Sequence, residues 1–68
     1  MKYAVTQCVN SNFSIVSEWS EKTNAFENFH ATCTNLWHAV DVEHATVTVI
    51  DERFSIHKIE YIKYDDLA

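Results

Sequence analysis

The apolar residues of this chain change spacing twice. They alternate with polar ones up to Trp19, recur about every 3.6 positions from Phe26 to Val40, and alternate again from Ala45 onward. A repeat of two belongs to a half-buried strand and a repeat of 3.6 to an amphipathic helix, because those are the side-chain periods of the two backbones. The order is therefore two strands, one helix, two strands: ββαββ. In 68 residues this is a single domain, residues 1–68.

The first run, "KYAVTQCV" at 2–9, sets Tyr3, Val5 and Val9 on one face and Ala4, Thr6 and Cys8 on the other. "NSN" at 10–12 supplies the turn, since asparagine tolerates positive φ. "FSIVSEW" at 13–19 alternates again, with Phe13, Ile15 and Trp19 on one side, and the two runs make a hairpin. Asn24, followed three residues later by Glu27, resembles a capping box. Phe26, Phe29, Cys33, Leu36, Trp37 and Val40 then lie on one helical stripe, and the helix is expected to end within 41–43. "ATVTVI" at 45–50 is β-branched and alternating, a third strand. "DER" at 51–53 reads as a turn and "FSIHKIEYIKY" at 54–64 as the fourth strand. Its alternation slips between Ile56 and Ile59, which predicts a bulge near His57 and Lys58. "DDLA" at 65–68 is expected to fray.

The crossover through the helix leaves the second and third strands running in the same direction. Placing the first strand between them makes every neighbouring pair antiparallel. The expected fold is α+β: a four-stranded antiparallel sheet in the order 2-1-3-4, with the helix packed on one face. That face is expected to carry Tyr3, Val5, Phe13, Ile15, Trp19, Val47, Val49, Ile59 and Tyr61. The second face then holds Thr6, Cys8, Val16, Glu18, Thr46, Thr48, Ile50, Glu60, Ile62 and Tyr64. One helix cannot cover both sides of such a sheet. Val16, Ile50, Ile62 and Tyr64 are therefore the interface candidates, and self-association as a homodimer is the expected use of that face, with an exposed strand edge as the other route. Short domains often gain support this way.

Composition narrows the function classes. Glycine and proline are both absent, which excludes a glycine-rich phosphate loop, a dinucleotide fingerprint and a nucleophile elbow. Net charge is −5 with only five Lys and Arg, so the chain lacks the cations that displace counterions from phosphates, and direct nucleic-acid binding is disfavoured. The acidic balance fits a protein partner instead. No apolar run reaches the ~20 residues of a membrane helix. The N-terminal stretch "MKYAVTQCVN" lacks the apolar centre of a signal peptide. Two cysteines do not make a disulfide scaffold, and a cytoplasmic, reducing location is expected.

"ENFHATCTNLWHAV" at 27–40 concentrates what chemistry there is. His30 and Cys33 are neighbours on a helix surface, and with His38 they are weak metal candidates. A tetrahedral site needs four donors, and Cys33 lies in the centre of the apolar stripe, so packing is its expected role. His38, Asp41 and His44 have the spacing H-x2-D-x2-H, but the helix is expected to end before His44. Cys33 and His30 could be drawn as a nucleophile and base; a reactive thiol, however, needs an exposed, electropositive setting. Cys8 has the parity opposite to the core face, so both cysteines are expected to be free thiols. No catalytic residue, cofactor or metal is expected, and the chain reads as a non-enzymatic interaction module.

The stretch "FHATCTNLWHAVDVEHATVTVIDE", after "MKYAV" and "FSIVSEW", resembles a group of short uncharacterised proteins of anaerobic Gram-positive bacteria and their mobile elements. The group's pattern is F-H-x-x-C-x-x-L-W on a helix, then D-V-x-x-A, then a strand ending D-E. Here these are Phe29, His30, Cys33, Leu36, Trp37, Asp41, Val42, Ala45, Asp51 and Glu52. The resemblance implies the same fold and brings no activity with it. A fainter likeness, across the first hairpin and helix, is to antitoxins of the HicB type, although their Pro- and Gly-containing segment after the second strand is missing here. These likenesses and the acidic charge imply an alternative role, a small inhibitor or antitoxin-like protein that engages a nucleic-acid-binding partner. A third alternative is a metal or thiol site on the helix.

Overall fold

A computed structural model describes residues 2–64. Along the chain these form β1 (Tyr3–Val9), β2 (Asn12–Trp19), α1 (Lys22–His38), β3 (Ala45–Asp51) and β4 (Ile56–Ile62). The strands make one antiparallel sheet in the order β2-β1-β3-β4, as the crossover argument requires. The tail expected to fray, at 65–68, lies outside the described residues.

The hairpin turn is tighter than "NSN" implies. Val9 pairs with Asn12, so the loop is Asn10 and Ser11 alone, at φ 49° and 74°. Two left-handed residues form the turn whose twist matches that of the flanking strands. Asn10 takes one of these positions without glycine and uses its side chain as well. Its Oδ1 accepts the backbone N–H groups of Glu43 (2.8 Å) and His44 (3.3 Å). Its Nδ2 donates to the Asp41 carbonyl at 3.2 Å, and its own N–H donates to the His44 carbonyl at 2.9 Å. One turn residue thus holds the loop that leads from α1 into β3.

The helix starts and stops earlier than the cap signals imply. Glu21 occupies the N-cap position in extended conformation, without a side-chain cap, and the Asn24–Glu27 pair falls inside the helix. Packing sets the start: Ala25 is fully buried in the first turn, and its N–H already reaches the Glu21 carbonyl. At the other end Ala39 turns extended, and the Lys63 ammonium donates to the carbonyls of Ala39 (2.5 Å) and Val42 (3.2 Å). A cation at the negative end of a helix satisfies carbonyls that have no partner within it. Val40 consequently leaves the stripe for solvent, and Val42 enters the core in its place.

That core is compact. Ala25, Phe29 and Cys33 of α1 lie over Val5, Ala45, Val47, Val49 and Ile62, with Val42 closing one end. Trp19 is tied in by a relay, its Nε1 donating to Ser17 Oγ at 2.7 Å and that hydroxyl donating to Asn28 Oδ1 at 2.6 Å.

Two bulges decide which residues reach this core. The β3–β4 register slips at His57, between the pairs Val49–Lys58 and Ile50–Ile56, where the broken alternation predicts it. The β1–β2 register slips at Val16, between Val5–Ser17 and Thr6–Ile15, where regular alternation does not. Each extra residue reverses the parity of the strand beyond it. Phe13 and Ile15 therefore share the face of Thr6 and Cys8 rather than lying under the helix. Ile59 and Tyr61 pair with Thr48 and Thr46 on that same open face, while Glu60 and Ile62 turn to the helix side. Ile62, expected at the open face, is 0% exposed in the core.

Candidate functional site

The face away from the helix is built from two kinds of strand. The central strands present short side chains there, Ala4, Thr6 and Cys8 from β1 and Thr46 and Thr48 from β3, with Ile50 at one end. The edge strands present large ones, Phe13 and Ile15 from β2 and Ile56, Ile59 and Tyr61 from β4. The result is a trough, floored by threonines and walled by aromatic and aliphatic ridges. A cavity of about 430 Å³ within it is lined by the Thr6, Thr48 and Cys8 floor and by Phe13, Ile15 and Ile56. The walls shade the floor strongly enough that Thr6 is only 5% exposed although no described element lies over the face. Phe13, by contrast, is 68% exposed.

The threonine hydroxyls of this face are all paired. The Thr6 and Thr48 hydroxyls share a hydrogen bond, and the Thr46 hydroxyl meets the Tyr64 hydroxyl at 3.0 Å. Tyr64 packs edge-on against Tyr61 and His44. Removing water from the face therefore strands few donors or acceptors, and an unsatisfied buried polar group is the chief cost of covering a surface. Glu18 is the one charged residue that the strand registers place there among the described residues.

Phe54 forms the rim at the β3–β4 turn. Its φ is 62°, an uncommon left-handed value for an aromatic residue, and its side chain is 79% exposed. Asp51 holds it there. The Asp51 carbonyl accepts the Phe54 N–H at 2.9 Å, and its carboxylate accepts the N–H groups of Arg53 (2.8 Å) and Ser55 (3.1 Å). The other carboxylate oxygen meets His57 Nε2 at 2.8 Å. The hydrogen bond from His57, followed by the two backbone N–H groups, keeps the Asp51 carboxyl below its ordinary range. "DER" marks the turn in the sequence, but the pairing of Asp51 with His57 has no local signature.

The four interface candidates separate. Ile50 and Tyr64 do lie on the open side. Val16 sits in the β2 bulge without a partner across the ladder. Ile62 is in the core: the slip at His57 is the expected one, but pairing with Ala45 puts the residues beyond it on the faces opposite to those expected. Phe13, Ile15, Ile59 and Tyr61, all expected on the helix side, build the walls of the trough instead. The missing signal is the Val16 bulge; Ile56 and Ile59 are recognisable as a matched pair from the broken alternation.

The helical candidates do not converge. Cys33 is 4% exposed, and burial, with the Glu60 carboxylate beside it, pushes its thiol up to about 12. That is the opposite of an activated nucleophile. His30 is exposed with its ring edge-on to Phe29, and His38 is exposed at the helix end. His44 stacks against Tyr64, so the H-x2-D-x2-H spacing builds no cluster. Among the described residues no three His, Cys, Asp or Glu side chains gather as a metal site. Both cysteines are free, Cys8 on the trough floor and Cys33 in the core. Trp37, placed in the apolar stripe, is half exposed and donates from Nε1 to Glu60 Oε2 at 2.8 Å. Among the described residues no helix is long and apolar enough to cross a membrane. Comparison with protein-family models, with curated proteins and with solved structures finds no match for this chain.

Proposed function

We propose that the protein is a non-enzymatic protein-interaction module that associates with itself through the open face of the sheet, in the cytoplasm. The observation that carries this reading is the exposed apolar set on that face, Phe13, Ile15, Ile56, Ile59 and Tyr61, joined at the rim by Phe54. Contiguous apolar surface of this kind on a small soluble chain marks an interaction site. The internally paired hydroxyls add to it, since they make the face inexpensive to dehydrate. Sedimentation across a range from about 1 to 100 µM tests the reading, a window matched to micromolar affinity. A dimer at tens of micromolar is expected. A monomer throughout removes it.

A second reading, an acidic inhibitor or antitoxin-like protein for a nucleic-acid-binding partner, draws on the −5 charge and on exposed Glu21, Glu27, Asp41 and Glu43 away from the trough. Co-purification from the native host of a basic, nucleic-acid-binding protein, in a complex that dissociates with salt, would favour it over self-association.

A further inference from the structure

We infer that the occupant of the trough is a second copy of this chain, docked face to face so that an edge-strand ridge of each copy lies in the trough of the other. This rests on the self-association proposed above and specifies its mode. Four observations carry it.

The first is shape. Trough and ridges lie on the same face of one molecule, short side chains on β1 and β3 and large ones on β2 and β4. Two such faces cannot meet wall against wall. Displaced sideways, each places one ridge over the threonine floor of the other, and the contact is then self-complementary, as a two-fold interface must be.

The second is charge. A chain of net charge −5 repels its own copies, and a contact without charges adds least to that repulsion. The middle of this face is neutral; its charged groups, Lys2, Glu18 and Glu52, gather at one end beside Ala4, Ile15 and Ile50.

The third is area. Four strands at ~4.8 Å spacing and seven residues at ~3.4 Å rise give a projection of about 450 Å². The sideways displacement leaves two to three of the four strands overlapping, about 300 Å² of that projection, and side-chain relief raises the accessible area to the low end of interface sizes, which suits a weak, concentration-dependent dimer.

The fourth concerns the edges. Both edge strands carry a bulge, at Val16 in β2 and at His57 in β4. A bulge interrupts the straight row of free N–H and C=O groups that strand addition needs, so the edge route to association is blunted.

Cys8 reports on the mode, because it lies on the trough floor and the core shields Cys33. Wild-type protein is labelled with N-ethylmaleimide at about 1 µM and about 100 µM, beside sedimentation at the same concentrations. Face-to-face docking slows Cys8 labelling about tenfold at the higher concentration, in step with loss of monomer. Ile59→Glu, on a ridge, restores fast labelling and a monomer. Phe13→Glu does the same and serves if Ile59→Glu fails to fold by circular dichroism. A dimer whose Cys8 labels equally fast at both concentrations overturns the face-to-face mode and leaves self-association standing. A monomer with unchanged labelling overturns both.

Discussion

Asn10 and Ser11 fill the two left-handed positions of the hairpin turn, Ser11 the one that glycine commonly holds, and Asn10 has a second role. Its left-handed φ closes the β1–β2 turn, while its amide clamps the loop at Asp41, Glu43 and His44. The two roles separate by substitution. Asn10→Gly keeps the backbone freedom and loses the clamp, at a cost of about 1 kcal/mol. Asn10→Ala loses the clamp and puts Cβ in a left-handed position, at a cost of about 2–3 kcal/mol. Urea denaturation of the three proteins should give that order. Asp51 is the second residue of this kind. Its carboxyl is lowered from 3.8, so its contribution to stability is complete above the ordinary value and is lost as pH falls below 3.8 and through the folded value. The unfolding midpoint of the wild type should therefore fall more steeply with acid below pH 3.8 than that of Asp51→Asn. Equal slopes would show that the bonds to His57, Arg53 and Ser55 do not bias protonation.

At the scale of elements, β2 is a strand whose two halves answer to different constraints. Residues 12–15 take their register from the hairpin turn, and residues 17–19 take theirs from the helix side through Trp19, Ser17 and Asn28. Val16 is the spare residue that lets both be met. Deleting Val16 forces one half to reverse its faces, because strand parity is two. Either Phe13 and Ile15 are driven towards α1 or Ser17 and Trp19 are driven away from it. The deletion should destabilise the fold by about 2 kcal/mol or more, in the range of a disrupted core contact, measured by thermal unfolding. A neutral deletion would mean that the bulge is incidental. The β4 bulge is legible in the sequence because Ile56 and Ile59 have conflicting parity within one strand. The β2 bulge is not, since Phe13, Ile15 and Trp19 share a parity that looks regular and only pairing with β1 separates them.

For the whole molecule, the consequence of those two bulges is a reversal of where the large side chains go. Around Phe29 the sheet buries small and β-branched residues, with Tyr3 and Trp19 partly buried beside them, and the ridges of Phe13, Ile15, Ile56, Ile59 and Tyr61 are left on the other side. If those ridges meet a second copy, apparent stability depends on protein concentration, because association favours the folded state by mass action. The thermal midpoint should rise between about 1 and 100 µM, and the rise should be no smaller at high salt than at low, since salt screens the repulsion between two chains of charge −5 and the middle of the face has no ion pairs to lose. A midpoint independent of concentration would count against association, and a strong loss in salt would point to the charged surface instead.

The sequence by itself determined the five elements, their order and the 2-1-3-4 sheet. These follow from side-chain period and chain direction, which are local quantities. It also determined that Cys33 packs, because the centre of a helical stripe has one destination. Which large residues lie under the helix, and so which surface is left for a partner, was decided only in the tertiary structure. A helix about 10 Å across spans about two strands of the four, and the registers that choose among edge residues arise from cross-strand pairing, which no single strand encodes.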